Sequence, residues 1–282
     1  MEPMPLREAI ARHVHDGQSV ALEGFTHLIP FAAGHEIIRQ QRRDLQLLRM
    51  TPDVIFDQMI GMGCVRQLTF SWGGNPGVGS LHRLRDAVEH QWPAPLALIE
   101  HTHGEMAVAY QAGASGLPCG LMRRGAQTDL AQASAAGVKA VTCPFSGIAL
   151  TAVPAINPDV TILHAQQVDA AGNVLIRGIV GAAKEAAMAA RCVIVTVEER
   201  VERLEADINS IVLPAWIIAA VSIVPGGAYP SYAHGYYPRD NRFYQEWDVV
   251  ARDRQGFERW MQRHVLEVPD HAAHLQLLGV SA

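Results

Sequence analysis

The 282-residue chain is 49% hydrophobic and 18% charged, and its 23 Lys and Arg against 28 Asp and Glu give a formal charge of −5. This composition supports a sizeable core and excludes a disordered chain. With no charged block longer than the run from Arg39 to Asp44, it also offers no nucleic-acid surface.

Leu6, Ile10 and Val14 recur at helical spacing and stop at Gly17, after which Val20 to Leu22 reads as a strand. The alternation continues with a helix around His35 to Arg42, a strand at Leu45 to Met50, a helix around Val54 to Ile60 and a strand at Val65 to Ser71. A helix over Leu81 to Gln91, a strand at Leu96 to His101 and a helix over Glu105 to Ala114 follow. Short strands alternating with three-turn helices are crossover units on a sheet covered on both faces. From Gln127 to Pro158 the pattern loosens into small residues and turn signals. Two apolar runs then flank Asp169 to Asn173, where Gly and Asn tolerate the positive φ of a tight return, so an antiparallel hairpin is expected. A helix at Ala182 to Ala190, strands at Cys192 to Val197 and near Ile217 to Val224, and helices near Phe257 to Leu266 and Ala272 to Leu278 complete the chain. The fold class is therefore α/β, a mostly parallel open sheet with helices on both faces and an antiparallel edge. Neither linker nor repeat is visible, and residues 1–282 read as a single domain.

Cys64, Cys119, Cys143 and Cys192 lie far apart, with no C-x-x-C pair and no signal peptide ahead of them, and no apolar run reaches the roughly 18 residues of a membrane span. A soluble protein of the reduced cytoplasm is expected, with no membrane partner.

The loop F-S-W-G-G-N-P-G-V-G-S, Phe70 to Ser80, joins a strand to a helix. It contains no lysine, which excludes the nucleoside-triphosphate phosphate loop, and Gly77-Val78-Gly79 is only a fragment of the dinucleotide fingerprint. What remains is a wide turn that a ligand or another backbone can approach closely, or a packing turn. Glu23-Gly24-Phe25-Thr26 and Pro225-Gly226-Gly227-Ala228 also follow strands. In open α/β sheets the ligand crevice lies outside the carboxyl ends of the strands, where all three loops are expected to meet. Among the 13 histidines, His101 and His103 lie two apart but belong to no metal-binding motif, so no metal is expected, and His164 reads as a hydrogen-bonded core residue. No G-x-S-x-G elbow is present. Glu23, Glu100 and Glu105 stand beside apolar strand ends, where desolvation raises a carboxylate pKa; Glu105 equally fits a helix start favoured by the dipole.

The segments A-L-E-G-F-T (21 to 26), S-W-G-G-N-P-G-V-G-S (71 to 80), A-G-A-S-G-L-P (112 to 118), H-A-Q-Q-V-D-A-A-G-N-V (164 to 174), V-T-V-E-E (195 to 199) and V-P-G-G-A-Y-P-S (224 to 231) occur in one order. Together they resemble the A subunit of the family I coenzyme A transferases over nearly the whole chain, including its glutaconate branch. The stretches S-Y-A-H-G-Y-Y-P-R-D-N-R-F-Y-Q (231 to 245) and E-G-F-T-H-L-I-P resemble the 3-oxoadipate branch of aromatic catabolism more strongly.

The resemblance implies the fold of that family and a two-subunit enzyme. In it a glutamate attacks an acyl-CoA thioester, forms an acyl-glutamyl anhydride and then a glutamyl-CoA thioester, and passes CoA to an acceptor acid such as 3-oxoadipate, with succinyl-CoA as donor. Coenzyme A is then a substrate, and no permanently bound cofactor is expected. In the family the nucleophile lies on the B subunit, in S-E-x-G, beside a G-x-G-x-F oxyanion loop. Neither pattern occurs here, so this chain is expected to hold no catalytic residue. It is expected to pair with the B subunit of such a CoA-transferase as a heterodimer or heterotetramer. It is expected to bind the acyl-CoA and the carboxylic acid through Gly24, Phe25, Thr26, Ser71, Gly73, Gly74 and Asn75, with Glu105 at most in support. Two alternatives are a thioester or ring-opening hydrolase on the same fold, which would use Glu105, and a non-catalytic sensing module. The latter calls for a DNA-binding segment that the first 17 residues are too short to supply.

Overall fold

The structure, a computed structural model, describes residues 2–123 and 128–280. Gln127, where the sequence pattern loosens, lies outside the described residues.

The first half follows the alternation in the sequence. Helix α1 (Leu6–His13) leads into β1 (Ser19–Leu22), α2 (Phe31–Arg39), β2 (Leu45–Leu48), α3 (Val54–Gly61), β3 (Val65–Phe70), α4 (His82–His90), β4 (Ala97–Glu100) and α5 (His103–Ala114). Helix α2 starts four residues before the expected His35, directly after Pro30, whose fixed φ suits the approach to a first turn.

The main sheet is organised by β8 (Val160–Val168). Together with β10 (Cys192–Arg200) and β12 (Ala220–Ile223) it gives the parallel order β4-β3-β2-β1-β8-β10-β12. The chain thus begins in the middle of the sheet, runs outward to β4, and returns to build the other half from β8. The pair β1 and β8 is the switch point, which in open α/β sheets marks the binding crevice. Strand β8 outlasts its neighbour: Val160 to Ile162 pair with β1, and beyond its end Gln167 and Val168 pair antiparallel with β9 (Val174–Arg177). Strand β9 in turn pairs with β11 (Ser210–Leu213). The hairpin turn closes as the sequence suggests, with Asn173 N–H donating to Asp169 Oδ1 at 2.8 Å and Gly172 at φ 91°. The antiparallel strands therefore continue the sheet past the carboxyl end of β1.

Alternation along β8 distributes its side chains to two layers. Val160 and Ile162 join the larger core with Ile10, Leu22, Phe31, Phe56 and Phe257. On the other face, Thr161 Oγ1 donates to Ala186 O at 2.8 Å in α7 (Ala183–Ala189), and Leu163 packs with Ala183 and Ala187. Helix α5 packs beside α7 through Met106, Tyr110 and Ala186.

Three features depart from the sequence reading. The loose middle contains β5 (Cys119–Met122), a short helix α6 (Asp129–Ala133), β6 (Lys139–Thr142) and β7 (Ala149–Pro154), and the three strands form a separate antiparallel sheet in the order β5-β7-β6. Every residue of β6 is exposed, so no alternation of polar and apolar residues marks it. Strand β11, four residues long, is likewise unmarked. Helix α8 (Asn241–Val250) precedes α9 (Arg254–Met261) and α10 (His271–Leu277). Its signals were legible: Asp240 caps it by accepting the Phe243 N–H at 3.1 Å, and Phe243 and Trp247 bury one face, as the N-cap and i,i+4 rules require.

Candidate active-site crevice

At the carboxyl ends of β1 to β4 lies a cavity of about 390 Å³, a volume suited to a small ligand. Each strand contributes its following loop: Phe25 and Thr26 after β1, Arg49, Thr51 and Asp53 after β2, Trp72, Pro76 and Gly77 after β3, and His103 after β4. Thr26 at φ 57° and Leu28 at φ 52° occupy left-handed backbone space. Side-chain-bearing residues, threonine above all, rarely adopt that region unless the surroundings impose it, and such strain concentrates at functional loops.

The loop is held at both ends, by a buried polar cluster at Gly24 and by Leu28 N–H donating to Tyr232 O at 3.0 Å. A Cβ on Gly24 would lie 2.7 Å from Leu28 O and 2.8 Å from His27 O, so only glycine lets the chain fold back here. Arg49 Nη2 donates to Gly24 O at 2.7 Å and Nη1 to Asp53 Oδ1 at 3.0 Å. Glu23 Oε1 accepts the Tyr110 hydroxyl at 2.9 Å. Burial pushes the carboxyls of both Glu23 and Asp53 up, and the Arg49 guanidinium opposes that rise in each case.

The residues singled out from the sequence fall into two groups. Phe25 and Thr26 line the cavity, whereas Gly24, Ser71, Gly73, Gly74 and Asn75 do not. Most of this second group shape and pin its loops. Ser71 Oγ donates to Met50 O at 2.7 Å, Asn75 Nδ2 donates to Tyr244 O at 2.8 Å, and Gly74 N–H donates to Pro52 O at 3.2 Å. Gly73 is exposed, and a Cβ there would make only ordinary contacts. The lining positions in this segment are instead Trp72, Pro76 and Gly77. Arg49, Thr51 and Asp53 were missed, although their place immediately after a parallel strand was itself the signal. A Cβ at Gly74 would meet the Trp72 ring at 2.7 Å, and that ring is half exposed and free to swing. Gly74→Val is therefore expected to cost stability only about 1 kcal/mol, to leave the fold intact, and to weaken binding in this cavity several-fold by moving a wall. An unchanged ligand affinity in a folded variant would show that the Trp72 wall does not touch what the cavity binds.

The third glycine loop does not line this cavity. Strand β12 stands three places from β1 in the sheet, and its loop is held by a network of its own. His164 Nε2 lies 2.6 Å from Glu198 Oε1, Tyr237 OH donates to the same oxygen at 2.6 Å, and Gly226 N–H donates to Glu198 Oε2 at 2.7 Å. Burial opposes ionisation of Glu198, but these bonds outweigh it and hold its carboxyl below the usual range. His164 is thus a hydrogen-bonded core residue, as its place on an apolar strand suggests.

Glu105 is buried and committed to its helix. Its N–H donates to Thr102 Oγ1 at 3.1 Å, while its Oε2 accepts the Thr102 N–H at 2.8 Å, a reciprocal capping box. It does not line the cavity; His103, two residues earlier, does. Glutamine serves equally at this capping position, so Glu105→Gln is expected to retain turnover and stability within about 0.5 kcal/mol. Loss of turnover in a folded Glu105→Gln enzyme would give this carboxylate a chemical role. Among the described residues no group of three His, Cys, Asp or Glu is placed to hold a metal ion, and no helix is long and apolar enough to cross a membrane.

The Coenzyme A transferase family profile matches residues 4–223. The A subunit of the 3-oxoadipate CoA-transferase of Pseudomonas knackmussii is 59% identical over 269 residues, covering 95% of each chain. The A subunit of the glutaconate CoA-transferase of Acidaminococcus fermentans is 32% identical over 99% of this chain and 92% of its own. The crystal structure of glutaconate coenzyme A-transferase from that organism matches with a TM-score of 0.92 at 30% identity, covering 99% of this chain and 93% of the other. A crystal structure of the decarboxylase AibA/AibB matches with a TM-score of 0.80 at 29% identity, over 93% of this chain and 98% of the other. With the switch point, the glycine-shaped loops and the cavity at the strand ends in place, these likenesses establish that the chain belongs to the coenzyme A transferase family.

Proposed function

We propose that this chain is the non-nucleophilic A subunit of a two-subunit transferase that moves CoA from a donor such as succinyl-CoA to a 3-oxo dicarboxylic acid, 3-oxoadipate foremost. The observation that carries the reading is the 59% identity, over 95% of both chains, to the A subunit of a 3-oxoadipate CoA-transferase. Fold alone would not suffice, since a decarboxylase shares it at 29% identity.

In the proposed reaction a glutamate carboxylate of the B subunit first attacks the thioester carbonyl and expels the CoA thiolate, leaving an acyl-glutamyl anhydride. The thiolate then attacks the glutamyl carbonyl, giving glutamyl-CoA and releasing the donor acid. The acceptor carboxylate repeats the sequence in reverse, so CoA changes partner with no net gain or loss of electrons or water. Covalent catalysis divides one difficult exchange into easier steps. This chain supplies the walls against which the acyl group is oriented and from which water is excluded, through Phe25, Trp72 and Pro76 over the Arg49 and Asp53 pair. CoA is a substrate in this scheme, and no bound cofactor takes part.

Co-expression with its B subunit, followed by an assay of succinyl-CoA with 3-oxoadipate, tests the reading. Formation of 3-oxoadipyl-CoA by the pair, and none by the purified chain alone, is the expected result. CoA released to water without transfer would favour a hydrolase instead.

A further inference from the structure

The cavity is lined by three ionisable side chains, Arg49, Asp53 and His103. Two of them are spent on each other: Arg49 and Asp53 form an ion pair at 3.0 Å, and each is only 1% exposed. His103 is exposed, stands edge-on to Phe25 with ring centroids 6.4 Å apart, and has no ion-pair partner among the described residues. The rest of the wall is largely apolar, formed by Phe25, Trp72 and Pro76. An apolar slot whose one uncommitted ionisable side chain among the described residues, His103, stands at its rim, beside the neutral donors of Trp72, Thr26 and Thr51, suits a short carbon chain that ends in an anion, because the chain lies against the rings and the anion needs a donor.

We infer that His103 is a specificity-determining residue that hydrogen-bonds the non-reacting carboxylate of a dicarboxylic acid. The inference rests on the transferase reading above and adds to it the residue that distinguishes a diacid from a monoacid. A diacid whose second carboxylate entered an apolar slot without a donor would lose its hydration uncompensated. A ring N–H donating to that carboxylate forms a charge-assisted bond and offsets this loss. The reacting carboxylate is then left at the other end of the carbon chain. Arg49 is set aside as the direct partner because its charge is already paired with Asp53 and its side chain is only 1% exposed.

The test uses the assembled two-subunit enzyme carrying His103→Leu, which leaves the Thr102 and Glu105 cap untouched. The kcat/KM is measured for 3-oxoadipate and for 3-oxohexanoate, the monoacid of equal length. The wild-type enzyme is expected to favour the diacid. The variant is expected to lose about 10- to 100-fold on the diacid, the value of one hydrogen bond to a charged group, and to be unchanged or improved on the monoacid. Equal losses on both acids, no loss on either, or a wild-type enzyme indifferent to the second carboxylate overturns the inference while the transferase reading stands. Calorimetric titration of the two acids onto the assembled protein gives the same comparison without turnover. If no CoA transfer is found, the transferase reading fails, and a diacid affinity that His103→Leu weakens by the same factor still supports the role of His103, whereas an unaltered affinity overturns it.

Discussion

Arg49→Met is expected to lower the stability of the assembled enzyme by about 3–5 kcal/mol, the range for breaking a buried ion pair from one side, and to remove most of its turnover. The methionine fills similar space, so the loss is electrostatic. Asp53 would be left buried without its cation, the Gly24 carbonyl would lose its donor, and Glu23, pushed up by burial and restrained by the same guanidinium, would lose that restraint. Because Gly24 opens the loop carrying Phe25 and Thr26, the defect reaches the cavity directly. Removing the stranded carboxylate as well, in Arg49→Met with Asp53→Leu, should recover much of the melting temperature but not the turnover, since Gly24 remains untethered. Thermal melts and kcat of the two variants check this. A single variant with wild-type melting temperature and kcat would mean that neither fold nor loop depends on the pair.

The second large effect concerns acid. His35, His271 and His274 form a buried cluster between α2 and α10, with ring centroids of His35 and His274 4.7 Å apart and those of His271 and His274 5.6 Å apart. His271 Nε2–H donates to Gly226 O at 2.8 Å, His274 Nδ1–H donates to His264 O at 2.7 Å, and His35 Nε2 lies 2.8 Å from Gln58 Oε1. Burial first, then mutual repulsion and the nearby Arg39, pushes His35 well below the ordinary imidazole value and His271 to about 3. His274 is lowered to about 4, by burial first and then by Arg39 and His264. The folded state therefore keeps these rings neutral at pH values where the unfolded chain, titrating near 6.5, takes up protons. Stability is full above about pH 6.5 and falls as the pH drops toward the folded values, at up to about 1.4 kcal/mol per pH unit for each ring. A steep fall in melting temperature between pH 6.5 and 5 is expected, and His274→Gln should make it shallower. A melting temperature constant over that interval would mean that the cluster is not held neutral.

How far the sequence revealed these features depended on burial. Strands β1 to β3 and their helices were readable because Leu22, Leu47, Leu68 and their neighbours are buried on a covered sheet, so hydrophobic periodicity marks each element. The β5-β7-β6 sheet was not, because β6 is exposed along its whole length and carries no such signal. At the site, the resemblance led to the right loops but to their glycines and small polar residues. Several of these, such as Gly24, Gly74 and Asn75, are constrained because they shape the loop rather than because they face the cavity. For Arg49 and Asp53 the sequence offered only their place after β2, because Arg49 acts by reaching Gly24 O across 25 positions and by pairing with Asp53, and neither relation leaves a periodic trace. Glu105 was legible as a residue at a helix start, and the structure adds the partner, Thr102, that makes T-H-G-E a capping box.

The position of β8 also bears on how the protein is made. Ser19 at the start of β1 binds Asp159, the residue before β8, 140 positions later. One edge of β1 is satisfied by β2 almost as soon as both leave the ribosome, but the other has no partner until residues 160 to 162 emerge. At roughly 5–20 residues per second, that delay is about 7–28 s. Throughout it, an apolar half-sheet presents unpaired backbone groups on its open side, a template for pairing with another nascent chain. Slower synthesis at lower temperature, or a holding chaperone, is therefore expected to raise yield during rapid overproduction by shielding that edge until a single late strand arrives.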